Sequence, residues 1–118
     1  MTSPPPDSEC IGSGSGNRII TGTPGPDTLI GTSGNNIING SEGNDAINGC
    51  SRNDKIDGGD GDDMIAGSSG NDILHGDNGD NIVDGGSRND QVSGDHGVNT
   101  PTGGPGRDAF VCGPNGLY

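Results

Sequence analysis

An acidic or amide side chain recurs every nine residues along most of the chain. Seven of these ten residues are aspartates and three are asparagines. Carboxylate and amide oxygens are ligands for hard cations such as calcium, whereas zinc and copper prefer imidazole or thiolate. The spacing therefore predicts a series of cation sites built from oxygen. The ten predicted side-chain ligands are Asp27, Asn36, Asp45, Asp54, Asp63, Asp72, Asn81, Asp90, Asn99 and Asp108.

The recurring acid is the sixth position of a nine-residue repeat. Written in rows from Gly22, the chain reads GTPGPDTLI, GTSGNNIIN, GSEGNDAIN, GCSRNDKID, GGDGDDMIA, GSSGNDILH, GDNGDNIVD, GGSRNDQVS, GDHGVNTPT and GGPGRDAFV. Glycine fills the first position of all ten rows and the fourth position of eight, with Arg52 and Arg88 as the exceptions. The eighth position is apolar in nine rows. Four columns that stay in register over so many rows indicate internal repetition.

These rows resemble the repeats-in-toxin (RTX) nonapeptide, glycine-glycine-x-glycine-x-aspartate-x-apolar-x. The resemblance covers Gly22 to Val111, and the fifth row, GGDGDDMIA, fits every fixed position, whereas most other rows lack the second glycine. It implies an all-β fold, namely a parallel β-roll or β-solenoid with two nonapeptide repeats per coil and calcium ions in the turns. Six residues of each row would form the calcium-holding turn, and three would form a short strand.

Elementary packing supports the same architecture. Only 24% of the residues are hydrophobic and there is no tryptophan, so a conventional globular core is not expected. Stacked coils can align one apolar residue per row into a continuous ladder. Hairpins are the competing interpretation at Asn39-Gly40 and Asn48-Gly49, but the rows lack the alternation of apolar and polar residues that hairpins require.

With 18 residues per coil, the sixth positions divide into two columns. The first edge carries Asp27, Asp45, Asp63, Asn81 and Asn99, and the second edge carries Asn36, Asp54, Asp72, Asp90 and Asp108. Two carboxylates about 4.8 Å apart would repel each other by about 3 to 4 kcal/mol. Calcium between successive loops would remove this repulsion, and it accepts carboxylates together with main-chain carbonyls. Each edge has four gaps between successive loops, so the two edges together hold at most about eight ions.

The sites are not expected to be equal. Asp45 with Asp63 and Asp54 with Asp72 should bind best, and Asn81 with Asn99 should bind weakly because that pair offers no charge. Glycine at the first and fourth positions is expected to allow a left-handed backbone that aims carbonyls at the ion. By the same reasoning, arginine at positions 52 and 88 should strain its turn.

The RTX resemblance also implies main-chain ligands. Each ion would take carbonyl oxygens from turn positions one to four in addition to two sixth-position side chains. The residues expected to supply these carbonyls are Gly40, Glu42, Gly49, Ser51, Gly58, Gly59, Asp60, Gly61, Gly67, Ser69, Gly70, Gly76 and Gly79.

The chain is expected to comprise four segments. Residues 1–12 form a polar, proline-rich tail, and residues 13–21 form a degenerate capping repeat in which Arg18 replaces the acid. Residues 22–111 form the ten-repeat roll, and residues 112–118 form a C-terminal cap or tail. RTX proteins usually continue well past their repeats, so the resemblance implies further domains of a longer parent protein.

Charge and composition exclude several kinds of partner. A formal net charge of -12 disfavours nucleic acids and anionic membranes and favours cations. No apolar run approaches the length of a membrane span, so membrane insertion is not predicted. The opening MTSPPPDSEC lacks the basic and apolar parts of a signal peptide, and an extracellular location is what the RTX resemblance implies.

Catalysis is not expected from these residues. His75 and His96 occur singly, and every aspartate of the sixth column is explained by the repeat. Cys10, Cys50 and Cys112 are too scattered for a disulfide framework or a metal cluster, and the sequence leaves open whether any of them pair. The hypothesis is therefore a calcium-binding module that folds on binding calcium and that stabilises an extracellular protein or couples to its secretion.

Two alternative functions remain open at this point. The third and fifth positions of the second edge repeat serine and asparagine, which would suit an ordered surface such as ice or mineral, although both are also common turn residues. The second alternative is that the chain is the calcium-binding tail of a secreted hydrolase or toxin. The array consists of Ser33, Asn35, Ser51, Asn53, Ser69, Asn71, Ser87 and Asn89.

Overall fold

Eleven short strands follow one another through the described part of the chain. The computed structural model describes residue 10 and residues 16–94 and 100–111, with only the backbone of residue 111. The described ranges contain no helix long and apolar enough to cross a membrane. The strands are β1 (Arg18–Thr21), β2 (Thr28–Ile30), β3 (Asn36–Asn39), β4 (Ala46–Asn48), β5 (Lys55–Asp57), β6 (Met64–Ala66), β7 (Ile73–His75), β8 (Ile82–Asp84), β9 (Gln91–Ser93), β10 (Thr100–Thr102) and β11 (Ala109–Val111).

The strands alternate between two parallel sheets. The odd-numbered strands form a six-stranded sheet in the order β1-β3-β5-β7-β9-β11, and the even-numbered strands form a five-stranded sheet from β2 to β10. Paired residues lie 18 positions apart, as Ile38 pairs with Ile56 and Ile47 pairs with Ile65. Two rows therefore make one coil, and the predicted all-β parallel roll is confirmed.

The core is a thin ladder of eighth-position side chains. Neighbouring strand residues point to opposite faces, so only the middle residue of each three-residue strand faces the opposite sheet. Burying each of these aliphatic side chains stabilises the fold by about 1.5 to 3 kcal/mol. Several flanking residues are exposed, such as Ile37 at 52%, whereas Ala46 and Asn48 on either side of Ile47 are buried. The buried ladder consists of Ile38, Ile47, Ile56, Ile65, Leu74, Val83 and Val92, and Ile20 and Leu29 pack against it.

From the third row onward, the described turns have a left-handed backbone at the second and fourth positions. In the fifth row, Gly59 has φ +83° and Gly61 has φ +114°. The prediction of this conformation was right for the fourth position but wrong for the first. Glycine is needed at the first position for lack of space: a Cβ on Gly40 would lie 2.6 Å from both Asp45 Oδ2 and Gly58 O.

Pro101 does not prevent strand formation near the end of the roll. The β10 strand pairs in parallel with β8, and Pro101 lies opposite Val83. Strand β10 is at the edge of its sheet. Proline lacks an amide hydrogen, but at an edge there is no further strand whose hydrogen bonds would be lost. The last coil therefore keeps its strand pairing at this position.

A disulfide joins Cys10 to Cys50, across a sequence separation of 40. Cys50 occupies the second position of its turn, is buried, and has φ +81°. The bond ties Cys10 to the turn between β4 and β5. Nothing in the repeat indicates this pairing, because Cys10 precedes the repeats. Cys112 lies outside the described residues.

Candidate metal centre

The sixth-position side chains form two columns, one on each edge of the roll. Asn36 is the first residue of β3, and the other described members stand immediately before a strand. Strand pairing therefore brings residues 18 apart onto adjacent coils. Most are almost completely buried; Asp45 is 2% exposed and Asp63 is 0% exposed. Asp27 and Asp108, nearest the two ends, are half-buried. Asn99 lies outside the described residues.

One oxygen of every described column member beyond Asp27 and Asn36 links two coils. The main-chain amide of a sixth-position residue donates to Oδ1 of the sixth-position residue 18 further on. On the first edge, Asp27, Asp45 and Asp63 donate in this way to Asp45, Asp63 and Asn81, each at 2.8 Å. On the second edge, Asn36, Asp54, Asp72 and Asp90 donate to Asp54, Asp72, Asp90 and Asp108 at 2.7, 2.8, 2.9 and 2.8 Å.

The second oxygen of these carboxylates lacks a hydrogen-bond donor. A buried acceptor without a donor costs about 1 to 3 kcal/mol, and more when it is charged. Each such oxygen faces the first glycine of its own turn, and near Gly40 it shares that space with the carbonyl of Gly58. The atoms concerned are Oδ2 of Asp45, Asp54, Asp63, Asp72 and Asp90.

Burial makes these carboxyl groups difficult to ionise. It raises the pKa of Asp54 and Asp63 to about 7, that of Asp72 to about 8 and that of Asp90 to about 6. Burial also raises the pKa of Asp45. The charges of Asp54 and Asp90 raise the pKa of Asp72 further. A cation beside the columns would reverse this tendency, because it favours the charged form.

The side chain of Asn36 shows which oxygens converge in one turn. Its Nδ2 lies 3.2 Å from Thr32 O, 2.9 Å from Gly34 O, 3.4 Å from Gly49 O and 3.0 Å from Asp54 Oδ1. In the aspartate turns the corresponding atom is an acceptor, Oδ2, so the equivalent set of oxygens has no donor among them. The amide of Asn36 thus occupies a position that a cation would suit in the other turns.

The predicted main-chain ligands lie in the turns between consecutive strands of the roll. Among the first-position carbonyls, those of Gly40, Gly49 and Gly58 face the first glycine of the preceding coil. The carbonyl of Gly79 accepts a 3.3 Å hydrogen bond from Asn81 Nδ2, as Gly34 does from Asn36. The other predicted residues lie in the same turns, between strands: Glu42, Ser51, Gly59, Asp60, Gly61, Gly67, Ser69, Gly70 and Gly76.

The oxygen atoms gathered in these turns are suitable ligands for calcium. Calcium takes six to eight oxygen ligands in flexible geometry, with carboxylates and carbonyls in the same shell. In the part of the chain that the structure describes, no three side chains of His, Cys, Asp or Glu come together. An ion held here would combine two sixth-position side chains with main-chain oxygens.

Comparison with known families agrees with this geometry. A family model described as RTX calcium-binding nonapeptide repeat (4 copies) matches residues 21–49, 51–74 and 75–110. The chain belongs to the RTX calcium-binding repeat family. Comparisons with curated proteins and with solved structures gave no significant match. The RTX repeats make this domain a calcium-binding β-roll.

A second ladder in the RTX domain accounts for the asparagines of the serine and asparagine array. On the second edge, fifth-position amides donate to Oδ1 of the asparagine 18 residues earlier. Asn53 donates to Asn35 at 3.0 Å, and Asn71 donates to Asn53 at 2.9 Å. The asparagines of the array therefore have a structural role in stacking coils. The acceptors of this ladder are Asn17, Asn35, Asn53, Asn71 and Asn89, and the main-chain donors are Asn35, Asn53, Asn71, Asn89 and Arg107.

Proposed function

We propose that this RTX domain folds when it binds calcium and serves as a stabilising or secretion-coupled module of an extracellular protein. The observation that carries the proposal is the set of five buried Oδ2 atoms without a donor. Without a cation these carboxylates are desolvated and close to one another. With calcium between coils they become ligands, so the free energy of ion binding becomes free energy of folding.

The free energy of calcium binding at several sites is large enough to stabilise a fold of this size. If free calcium exceeds each dissociation constant tenfold, every site adds about 1.4 kcal/mol to the stability of the folded state. The gaps between loops offer at most about eight such sites. Calcium binding at several of them would contribute a free energy comparable to the net stability of an ordinary domain. Asp45 with Asp63 and Asp54 with Asp72 are proposed as the strongest pairs. The gap between Asn36 and Asp54 is proposed as weak because an amide already lies there.

Two properties support an extracellular location. Calcium sites of extracellular modules work at dissociation constants of about 10⁻⁴ to 10⁻³ M, a range in which a calcium-poor cytosol leaves them empty. The Cys10–Cys50 disulfide is of a kind that persists in oxidising compartments and is rare in the cytosol. A chain that stays unfolded inside the cell and folds outside it would have the directionality that secretion needs.

We further propose that this domain is not itself a catalyst. The buried aspartates have their oxygens assigned to coil stacking and to calcium. A role as the calcium-binding part of a secreted hydrolase or toxin would place the chemistry in another domain of the parent protein.

Circular dichroism with a calcium titration tests the proposal. In chelator the purified chain should give a spectrum of an unfolded chain, and millimolar calcium should produce a β spectrum in one cooperative transition. Magnesium at the same concentration is the control, because it demands near-octahedral geometry and dehydrates reluctantly. A β spectrum that is the same in chelator and in calcium would contradict the proposal. A calorimetric stoichiometry of one or two ions would contradict the two-column arrangement.

A further inference from the structure

Two arginines occupy turn positions that normally hold glycine. Arg52 has φ +71° and Arg88 has φ +80°, whereas Gly61, Gly70 and Gly106 have the same left-handed conformation in other turns. This conformation costs an L-residue with a Cβ atom free energy that glycine does not lose. Strain that persists in a structure is a reason to look for a function at the same place.

The two arginines are on the same edge and flank one coil. Arg52 and Arg88 both belong to the second edge, with the turn of Gly70 between them, so their backbones lie about 10 Å apart. Gly70 has no side chain, and a cavity of 290 Å³ lies at this point. Its lining consists of Arg52, Asn53, Ser69, Gly70, Asn71 and Arg88.

The cavity offers hydrogen-bond donors and no carboxylate. Asn53 Oδ1 accepts from the amide of Asn71, and Asn71 Oδ1 accepts from the amide of Asn89. Because both oxygens are turned to the next coil, each asparagine has its NH₂ group left for a ligand. Ser69 Oγ donates to the carbonyl of Cys50. Among the described residues, neither guanidinium group forms an ion pair with a carboxylate of the chain.

We propose that this cavity binds one oxyanion group, a carboxylate or a sulfate, of an acidic ligand. The guanidinium groups of two lining arginines, together with two amide donors, match the oxygens of such a group. Free sulfate and a sulfate carried by a saccharide share this chemistry. Either would bind at these two arginines although the formal net charge of the whole chain is -12.

Binding of the anion depends on calcium, so this inference rests on the proposed function. Asp54, Asp72 and Asp90 are each one or two residues from a residue that lines the cavity. Without calcium their charges repel an anion. With calcium between them the column is neutralised, and the arginines then determine the local potential.

Titration of the calcium-loaded full chain with sodium sulfate, followed by calorimetry, tests the site. The wild-type chain should bind about one sulfate, and Arg52→Gly or Arg88→Gly should weaken binding about tenfold or more, the loss expected for one charge-assisted donor. Both variants restore the glycine typical of the position, so they should fold at least as well. Arg107→Gln removes the same charge from an exposed arginine outside the cavity and should change sulfate affinity less than about twofold.

The outcomes separate the two ideas. Equal sulfate affinity in Arg52→Gly and wild type, or equal weakening in Arg107→Gln, would overturn the oxyanion site. Calcium-dependent folding without sulfate binding would also overturn it but would leave the proposed function intact. Failure of calcium to fold the chain would overturn the proposed function first. A sulfated disaccharide that binds tighter than free sulfate assigns the group to a saccharide; equal affinity assigns it to the free ion.

Discussion

The main-chain amide of Asp54 donates a 2.8 Å hydrogen bond to Oδ1 of Asp72, which lies 18 residues further along the chain. The other oxygen of Asp72 is buried and has no donor. One carboxylate therefore stacks coils through Oδ1 and, in our proposal, binds a cation through Oδ2. Substitutions can separate these duties.

Asp72→Asn should weaken calcium binding while keeping the coil-stacking acceptor. The amide keeps Oδ1 for the amide of Asp54 but replaces the charged oxygen by a donor. We expect the loss of one or two ions and a decrease of about 1 to 3 kcal/mol in the stability of the calcium-loaded fold. Calorimetry and urea unfolding measure both. Asp62→Asn, which makes the same change in the fifth position, is the matched control and should keep the wild-type stoichiometry.

Asn36→Asp should have the opposite effect. It removes the NH₂ group that bridges Thr32 O, Gly34 O and Asp54 Oδ1 and supplies a charged oxygen instead. The calcium stoichiometry, measured by calorimetry, should rise by about one ion because the new carboxylate oxygen can bind calcium where the amide could not. An unchanged stoichiometry at saturating calcium would contradict the ion-like role assigned to this amide.

Gly40→Ala should destabilise the domain by steric overlap. The new Cβ would lie 2.6 Å from Asp45 Oδ2 and from Gly58 O, and relieving such overpacking costs about 1 to 3 kcal/mol. Gly25→Ala is the control, since its Cβ would find its nearest atom, Thr23 Oγ1, at 4.0 Å. Thermal unfolding in saturating calcium should separate the two variants. Equal melting temperatures would show that the first position does not need glycine for space.

Acid should stabilise the calcium-free fold. Burial raises the folded-state pKa of Asp54 to about 7 and that of Asp72 to about 8, from 3.8. The folded state therefore binds more protons than the unfolded state between these values. This contribution to stability is complete below about pH 4 and is lost as the pH rises through about 7 to 8. Circular dichroism in calcium-depleted buffer should show more β structure at pH 4 than at pH 8.

Calcium reverses the sign of this pH dependence. In saturating calcium, protons compete with the ion for the same oxygens, so the loaded fold should lose stability on acidification. A calcium-free chain that becomes more stable as the pH rises from 4 to 8 would contradict the assignment of the raised pKa values to the folded state.

Loss of the disulfide should lower stability without changing the metal columns. Cys10→Ser leaves Cys50 and its turn in place but opens a loop with a sequence separation of 40. A cross-link of this kind contributes about 2 to 4 kcal/mol, mainly by restricting the unfolded chain. Urea unfolding in calcium should show the loss, with the ion stoichiometry unchanged. Cys112→Ser keeps the Cys10–Cys50 bond and serves as the control.

The register of the roll could be predicted because the chain repeats without insertions. A constant period of nine, taken twice, places Ile38 beside Ile56 and Asp45 beside Asp63, and the structure has the Ile38 and Ile56 pair in one sheet. The division of the sixth-position residues between two edges follows from the same period. The ion-binding residues are proposed from chemistry in the same way, since only oxygen ligands recur in the sixth column.

Details that depend on distances between coils could not be predicted. Glycine at the first position indicates either a special backbone or a lack of space, and the sequence does not distinguish the two. The left-handed second position was missed because Ser41 and Ser68 occupy it as readily as glycine does. Cys10 lies outside the repeat, so its pairing with Cys50 has no signal in the period. The donor role of the Asn36 amide required the positions of four oxygens.

Every strand pairing in the described roll has the same offset of 18 residues, so each coil rests on its neighbours by an equivalent interface. Insertion or removal of 18 residues would lengthen or shorten the stack and leave the remaining interfaces of the same kind. A block of nine residues would instead exchange the edges beyond that point and set turns of the second edge over turns of the first edge. The unit that recombination can duplicate in this molecule is therefore the whole coil, twice the repeat visible in the sequence.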